Sequence, residues 1–199
     1  KEDLTVSINR LEALFQARSA AFIGASNDHG KWGYRTLRHM IDGGFQGSIY
    51  PVNPREKEVV GLTAYKNIWD LPETPDLAVI CVPPPACPDV VRQCVAKGIK
   101  AGIIITAGFA ETNEEGARLQ QEMVETARAG GMVFTGPNCN GIMSPWNKLY
   151  VQFPLFFVPP GPIGIITQSG NVMDSLSYQI RMHGFGCSMC VASGNEALL

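Results

Sequence analysis

The first chemically suggestive feature of the sequence is a glycine- and serine-containing turn between an apolar run and a helical pattern. The apolar residues 20–23 end at Gly24, Ser26 follows, and the helical pattern begins near Lys31. Such a junction gathers unpaired backbone N–H groups and the positive end of a helix dipole, which suit a phosphate. The spacing is not the dinucleotide motif G-x-G-x-x-G, because Ser26 stands at its second glycine. We therefore expect a different phosphate-bearing ligand, although Gly24 could serve only tight turning.

Two cations follow the second predicted strand, residues 48–52. Asn53 and Pro54 end this strand, and Arg55 and Lys57 come directly after them. Proteins that bind NAD usually carry an acid here for the ribose hydroxyls, whereas cations favour a phosphate on the ribose. Both cations could equally be solvated surface charges.

Two further turns follow predicted strands. Val82 and Pro83 end a strand that is apolar on both faces, and Thr106 ends the next strand and leads to Glu111. Ligands of open parallel sheets bind beyond the carboxyl ends of the strands, so these residues are expected at the same site. Pro83 could merely stop its strand, and Glu111 could be only an acid near a helix start.

A second anion-receptive turn precedes the helical pattern at 172–182. It consists of Gln168, Ser169, Gly170 and Asn171. Ser169 could be a simple N-cap, which is the commoner role of a serine at this position. Two such turns in one chain suggest two phosphates, one that belongs to a bound ligand and a separate one that binds and is released.

The histidines and cysteines form no evident catalytic or metal constellation. His29 lies in the first turn, whereas His39 and His183 are expected to have packing or surface roles. Cys139 has no basic neighbour in sequence to lower its pKa, so it is a poor candidate nucleophile. The six cysteines are irregularly spaced. Their one close pair, Cys187-x-x-Cys190, has no second pair or nearby histidine pair to complete a zinc site, which favours reduced structural thiols in a cytoplasmic protein.

The elements that position these turns alternate between apolar strands and helical patterns, which predicts an α/β fold with a Rossmann-like parallel sheet. The expected strands are 20–24, 48–52, 77–82, 102–106 and 132–135, and the expected helices are a short one around Ile8 to Phe15, then 32–41, 89–97 and 114–129. A connecting segment, 150–162, is expected to lead into strands 163–167 and 186–191, with helix 172–182 between them. The run of proline and glycine at 159–162 sets the expected boundary between domain 1–160 and a truncated second domain, 161–199.

The composition and net charge of the sequence exclude some classes of binding partner. With 45% hydrophobic and 17% charged residues in 199, the sequence is typical of a globular protein, and its net charge of −2 gives no basic footprint for nucleic acid or an anionic membrane. No apolar run is long enough to span a bilayer, and the first residues lack the pattern of a secretory signal.

The motifs taken together resemble the nucleoside-diphosphate-forming acyl-CoA synthetases, which are related to the α subunit of succinyl-CoA synthetase. The resemblance rests on Ile23-Gly-Ala-Ser26, Pro51-Val-Asn-Pro54, Val82-Pro-Pro84, Thr106-Ala-Gly-Phe-Ala-Glu111, Gly136-Pro-Asn-Cys139 and Thr167-Gln-Ser-Gly170. It implies a Rossmann-like CoA-binding domain followed by the start of a flavodoxin-like ligase domain. The implied reaction interconverts acyl-CoA, ADP and phosphate with acid, CoA and ATP, through an acyl phosphate and a phosphohistidine.

The resemblance also implies roles for individual residues. The first turn would face the CoA phosphates, the residues after the second strand would lie near the nucleotide end, Val82 and Pro83 would line the pantetheine path, and Asn138 would lie where the thiol meets the acyl group. The implied CoA-binding set is Gly24, Ser26, Asn53, Pro54, Arg55, Lys57, Val82, Pro83, Thr106 and Asn138. The implied set that receives the phosphohistidine is Gln168, Ser169, Gly170 and Asn171.

Two departures bear on the acyl substrate. Ala107 stands where the succinyl-CoA synthetase α subunit has an acid, and Asn140 stands where relatives usually carry Leu or Pro. The phosphohistidine, and the ATP-grasp part that would bind ATP or ADP and Mg²⁺, are expected outside this sequence. The fragment is therefore expected to bind CoA or acyl-CoA without turnover, within a longer protein that forms an oligomer.

Two alternatives remain open at this point. A non-catalytic acyl-CoA-sensing module of a protein lysine acetyltransferase would share the same motifs. An NAD-linked oxidoreductase is disfavoured because the expected ribose-binding acid is missing.

Overall fold

The computed structural model describes residues 11–154 and 156–198. In chain order its strands are β1 Ser19–Ile23, β2 Ser48–Val52, β3 Glu58–Val59, β4 Leu62–Thr63, β5 Leu77–Ile80, β6 Ala101–Ile104, β7 Val133–Thr135, β8 Gly141–Ser144, β9 Leu149–Val151, β10 Pro160–Thr167 and β11 Cys187–Ala192. Helix α1 is described over residues 11–15, and the later helices are α2 Trp32–Asp42, α3 Cys87–Lys97, α4 Glu114–Gly130 and α5 Gly170–Met182. Ile8, expected in the first helix, lies outside the described residues.

The first sheet is parallel throughout and has the strand order β2-β1-β5-β6-β7. Strands β1, β5 and β6 are buried along their whole length, as expected of central strands covered on both faces. The prediction of an α/β, Rossmann-like sheet is confirmed.

Successive residues of the central strands pack against opposite faces of this sheet. Ile23 and Ile80 belong to a core cluster that includes residues of α3 and α4. Phe22 and Val79, one position earlier, belong to a second cluster that includes Leu37 of α2. This alternation follows from the two-residue period of a strand. The parallel pairing of the strands places the carboxyl ends of β1, β2, β5 and β6 at one edge of the sheet.

The second sheet has the order β10-β11-β8-β9. β10 and β11 pair in parallel, whereas β8 pairs antiparallel with both β11 and β9. We expected no strands between 141 and 151. The two apolar runs there are short, and β8 pairs with β11, which lies far along the chain. No local sequence pattern predicts this pairing.

No described helix is long and apolar enough to cross a membrane. The described residues also contain no group of three or more His, Cys, Asp or Glu side chains placed to hold a metal ion. All six cysteines are free thiols.

Candidate functional site

A cleft of about 680 Å³ opens at the carboxyl ends of β1, β2, β5 and β6. It brings together most of the residues expected at the first site, namely Gly24, Ser26, Asn53, Pro54, Arg55, Val82, Pro83 and Thr106. Lys31, Trp32, Glu56, Cys81 and Ala107 also line it. Lys57 is exposed and is not among the lining residues.

The first turn holds two backbone segments in direct contact. Gly24 has φ +88°, and a Cβ on it would lie 2.8 Å from the carbonyl carbon and oxygen of Cys81. A Cβ on Gly33 would lie 2.0 Å from the carbonyl oxygen of Gly24. Glycine is therefore required at Gly24, where the chain after β1 contacts the chain after β5, and at Gly33, where it contacts the first turn of α2.

The start of α2 is left without a side-chain cap. Its N-cap residue, Lys31, makes no capping hydrogen bond, and the first turn contains no acid. Ser26 instead accepts a hydrogen bond from the N–H of Asp28 at 3.1 Å, which shapes the preceding loop. The first N–H groups of α2 thus remain available to an anion at the cleft.

Asn53 joins the loops that follow β1 and β2. Its Nδ2 donates to the carbonyl of Ala25 at 2.7 Å. Its Oδ1 accepts from the N–H of Arg55 at 2.8 Å and from the N–H of Glu56 at 3.1 Å. This amide therefore fixes the segment that carries Arg55 at the rim of the cleft.

Thr106 joins the ends of β5 and β6. Its hydroxyl donates to the carbonyl of Val82 at 2.7 Å. Pro83 follows with an extended backbone and precedes the short turn Pro84–Ala86 that leads into α3. These residues form the wall of the cleft between its two ends.

Glu111 organises the loop after β6. Its Oε1 accepts from the N–H groups of Gly108 and Phe109 at 2.5 and 3.1 Å, and its Oε2 accepts from Asn195 Nδ2 at 2.5 Å. Partial burial acts to raise the pKa of Glu111, but the hydrogen bonds from Asn195, Gly108 and Phe109 outweigh it and hold the pKa below 4.5. Glu111 therefore links the loop after β6 to the turn after β11.

The substitution Glu111→Gln is expected to lower the free energy of unfolding by about 1 kcal/mol at pH 7, after a discount for solvent screening of an exposed carboxylate. Because the folded pKa is depressed, this stabilisation is present above the unfolded pKa and is lost as the pH falls through the folded value. Urea unfolding at several pH values measures the difference between the two proteins. The difference should vanish well below pH 4.5.

Glu125→Gln is the matched control, because Glu125 accepts a hydrogen bond only from Gln121 among the described residues. It should change stability little at any pH. A pH-independent loss in Glu111→Gln would contradict the proposed ionic contribution.

A second cavity of about 370 Å³ adjoins the cleft, and Trp32 and Ala107 line both spaces. This cavity gathers the remaining expected site residues, Asn138, Gln168, Ser169, Gly170 and Asn171. Asn138 has φ +56°, and its N–H donates to the Thr106 carbonyl at 2.9 Å. The two spaces thus lie side by side at the end of β6.

Ser169 is the N-cap of α5, which is the simpler of the two roles that the sequence allowed for it. Its hydroxyl accepts from the N–H of Val172 at 3.5 Å. The helix begins at Gly170, two residues before the position expected from the sequence. A Cβ on Gly170 would lie 2.5 Å from Asn140 Cβ, so the start of α5 contacts the 136–141 turn.

Asn140 ties three walls of the second cavity together. Its Nδ2 donates to Asp174 Oδ1 at 2.7 Å and to the Gly170 carbonyl at 3.4 Å, and its Oδ1 accepts from the N–H of Phe153 at 3.0 Å. Burial raises the pKa of Asp174 to about 6, against the opposing hydrogen bond from Asn140. From sequence, Asn140 was evident only as a departure from the family pattern.

None of the three histidines, all of which are described, lines either space. His39 is fully buried and its Nδ1–H donates to the Gln152 carbonyl at 2.7 Å. Burial lowers the pKa of His39, against the opposing hydrogen bond to that carbonyl. Its expected packing role is confirmed.

Cys139 is buried, and its thiol donates to the Ile104 carbonyl at 3.4 Å. Burial raises its pKa to about 12. The thiolate required for nucleophilic attack is therefore scarce at neutral pH. The sequence likewise indicated that Cys139 is a poor candidate nucleophile.

An aromatic pair that was not expected from sequence lines the second cavity. Trp32 and Phe153 stack with ring centroids 4.0 Å apart and planes 22° apart, and Arg35 lies 5.0 Å from the Trp32 ring centroid. The two aromatic residues belong to distant segments, so no spacing rule could pair them.

The fold is that of a Rossmann-like protein with a cleft at the carboxyl ends of its parallel strands. The family model described as "CoA binding domain" matches residues 18–145. This chain belongs to that family of CoA-binding domains.

Similar proteins point the same way. The chain is 41% identical over 191 residues to the acetate–CoA ligase [ADP-forming] I subunit alpha of Pyrococcus furiosus, an alignment that covers 94% of this chain and 41% of the relative. The crystal structure of PH0766 from Pyrococcus horikoshii OT3 matches with a TM-score of 0.89 and 40% identity, over 95% of this chain and 43% of that one.

A third match is the dinucleotide-forming acetyl-coenzyme A synthetase 1 of Ca. Korarchaeum cryptofilum in its apo form. Its TM-score is 0.89 and its identity 35%, over 95% of this chain and 41% of that one. The chain thus spans about two fifths of the length of these relatives. The resemblance stated from the motifs is confirmed.

Proposed function

We propose that this chain is the CoA-binding region of an ADP-forming acyl-CoA synthetase. The whole enzyme would convert acyl-CoA, ADP and phosphate into the free acid, CoA and ATP, and would run the reverse reaction. The observation that carries the proposal is the adjacency of the two spaces, which share Trp32 and Ala107 and together reach from Arg55 after β2 to the start of α5. That path suits a long cofactor with phosphates at one end and a reactive thiol at the other.

The residues at the β2 end fit the phosphorylated nucleotide of CoA. The uncapped start of α2 can receive the phosphates, and Lys31 and Arg55 contribute positive charge at the rim. Asn53 holds this segment in place because its Oδ1 accepts hydrogen bonds from the backbone N–H groups of Arg55 and Glu56. Lys57 does not line the cleft, so it would act on the CoA phosphates only through long-range electrostatic attraction.

The pantetheine arm would follow the wall formed by Val82, Pro83 and Thr106. It would bring the thiol to Asn138, which lines the second cavity. This chain's residues would orient the thiol and exclude water there, and CoA supplies the nucleophilic sulfur when bound.

The start of α5 is proposed to receive the phosphorylated histidine of the enzyme. Ser169 and Gly170 line the second cavity at the positive end of this helix. That histidine, together with an ATP-grasp part binding ATP or ADP and Mg²⁺, would belong to other parts of the enzyme. We also propose that the whole enzyme forms an oligomer and is located in the cytoplasm. The six free thiols support the cytoplasmic location.

The division into domains 1–160 and 161–199 also remains a proposal. The unit formed by β10, α5 and β11 leaves large apolar side chains exposed, including Ile166 at 81%, Leu176, Met182 and Phe185. Exposed apolar groups of this extent commonly mark a surface that packs against another element. They support a ligase domain larger than the part present here.

Calorimetric titration with CoA and dephospho-CoA tests the proposed function. Loss of the ribose 3′-phosphate is expected to weaken binding by about tenfold, equal to about 1.4 kcal/mol. Arg55→Gln should abolish most of this difference, whereas Arg128→Gln, an equal charge change at the end of α4, should leave it intact.

Absence of CoA binding would refute the assignment of this cleft. Glu56 also lines the cleft, so NADH belongs in the same titration series. Micromolar binding of NADH in place of CoA would favour an NAD-linked protein instead.

A further inference from the structure

The backbone of Asn138, the residue that the proposed function places beside the CoA thiol, is held on two sides. Its N–H donates to the Thr106 carbonyl at 2.9 Å, and the N–H of Asn195 donates to the carbonyl of the preceding Pro137 at 2.9 Å. A Cβ on Gly194 would lie 2.3 Å from that Pro137 oxygen, so the two turns pack backbone against backbone. The backbone leaves one question open, namely which atom of the Asn138 amide, Oδ1 or Nδ2, faces the second cavity.

The side chain of Asn195 contacts this amide. Asn138 Nδ2 donates to Asn195 Oδ1 at 3.3 Å. Asn195 Nδ2 donates in turn to Glu111 Oε2 at 2.5 Å and to Gln120 Oε1 at 2.9 Å. Asn195 therefore connects Asn138 to the loop after β6 and to α4.

The direction of these hydrogen bonds follows from the chemistry of Glu111. Partial burial acts to raise its pKa, but its hydrogen bonds hold the pKa below 4.5, so Glu111 is a carboxylate at neutral pH. A carboxylate only accepts hydrogen bonds. Asn195 must therefore turn Nδ2 towards Glu111 and Oδ1 towards Asn138. Gln120 imposes no direction, because either end of its amide can face Asn195.

The same reasoning orients Asn138. An amide oxygen only accepts hydrogen bonds, so Asn138 must present Nδ2 to Asn195 Oδ1. Oδ1 of Asn138 then has no hydrogen-bond partner among the described residues, and it is the amide atom left for the cavity that Asn138 lines. A thiol S–H is a weak donor that such an oxygen can accept.

We propose that Glu111 and Asn195 are positioning residues for the CoA thiol, a role that rests on the proposed function and is exerted through Asn138. The carboxylate of Glu111 sets the orientation of the Asn195 amide, and this amide sets Asn138 with Oδ1 towards the thiol. Glu111 and Asn195 line neither the cleft nor the second cavity. Both therefore act on the thiol only through Asn138.

Calorimetry with CoA and with desulfo-CoA, in which a hydrogen atom replaces the thiol group, isolates the contact at the thiol. We define the thiol ratio as the dissociation constant of desulfo-CoA divided by that of CoA. It is expected to be about five for the original chain, because one hydrogen bond and the contacts of the sulfur are lost. A thiol ratio of one would overturn the proposal.

Two single substitutions should each lower the thiol ratio to less than about two. In Asn138→Asp a carboxylate oxygen would face Asn195 Oδ1, and the two acceptors would repel each other. In Glu111→Gln the new Oε1 keeps the backbone N–H groups of residues 108 and 109, so the new Nε2 faces Asn195. The amides of Asn195 and Asn138 must then both reverse.

The affinity for desulfo-CoA distinguishes positioning from a general structural effect. It should stay within about twofold in both single variants, because the proposed role concerns the thiol alone. An equal loss of affinity for CoA and desulfo-CoA would show a general loss of structure and would overturn the positioning role.

The double variant Glu111→Gln/Asn138→Asp should recover a thiol ratio of about five. The introduced glutamine would donate to Asn195 Oδ1, and Asn195 Nδ2 would donate to the introduced aspartate, whose second oxygen again offers an acceptor to the thiol. Glu125→Gln/Asn138→Asp is the matched control, because it makes the same charge changes with an acid bound only to Gln121 among the described residues. It should not recover the ratio.

Recovery in the first double variant alone would support the proposed chain of hydrogen bonds. A ratio no higher than in the single variants would contradict it. If CoA and desulfo-CoA bind equally well, the positioning role is wrong and the proposed function stands. If neither ligand binds, the proposed function is wrong and the positioning role falls with it.

Discussion

Replacing Gly24 with alanine is expected to lower the free energy of unfolding by about 2–5 kcal/mol and to abolish CoA binding at micromolar concentrations. The left-handed conformation, with φ +88°, costs an L-residue about 1–2 kcal/mol. The added Cβ would also lie 2.8 Å from the Cys81 carbonyl group, and overpacking of this kind costs about 1–3 kcal/mol. Urea unfolding measures the first effect and calorimetry the second.

Gly61→Ala is the matched control for this experiment. Gly61 has φ +78°, and a Cβ there would meet nothing within 4 Å. Its cost should therefore be the conformational part alone, about 1–2 kcal/mol, with CoA affinity retained. Equal destabilisation by the two substitutions would show that contact between the end of β1 and Cys81 contributes nothing.

Asn53→Ala is expected to weaken CoA binding by about tenfold and to lower the free energy of unfolding by about 1–3 kcal/mol. The substitution removes the hydrogen bonds to Ala25, Arg55 and Glu56. The loop after β2 would then no longer be fixed, so Arg55 would lose its position at the rim of the cleft. Calorimetry and urea unfolding measure the two effects on the same protein.

Asn27→Ala provides a closely matched comparison. Asn27 also bridges two segments, because its Nδ2 donates to the Glu58 carbonyl at 2.9 Å and its Oδ1 accepts from the N–H of Val60 at 3.0 Å. It does not line the cleft. A similar loss of stability with CoA affinity within twofold of the original protein is expected, and wild-type affinity in Asn53→Ala would contradict the positioning role.

Most of the first cleft could be predicted from sequence because its signals are local. Gly24, Asn53 and Pro83 each stand where an apolar strand ends, and each residue type has a known preference for turns. In a parallel sheet, alternate strands and helices place all these ends at one edge. Short-range chemistry together with one topological rule was therefore enough to assemble them.

The pairing of the second sheet could not be predicted from such local signals. Strands β8 and β9 are short, and β8 pairs with β11, which lies far along the chain. A short apolar run carries no period that separates a strand from a buried connection. Its pairing depends on the position of β11, which local sequence does not encode.

The alternation of apolar strands and helical patterns thus determined the fold class by itself, and the residue types at the strand ends determined the likeness to CoA-binding synthetases. Only the tertiary structure decided that Trp32 stacks on Phe153, that Asn140 holds Asp174, and that Glu111 reaches Asn195. The physical reason is the range of the interactions involved. Turn and capping preferences act over a few residues, whereas contacts between distant segments exist only once the sheets have brought those segments together.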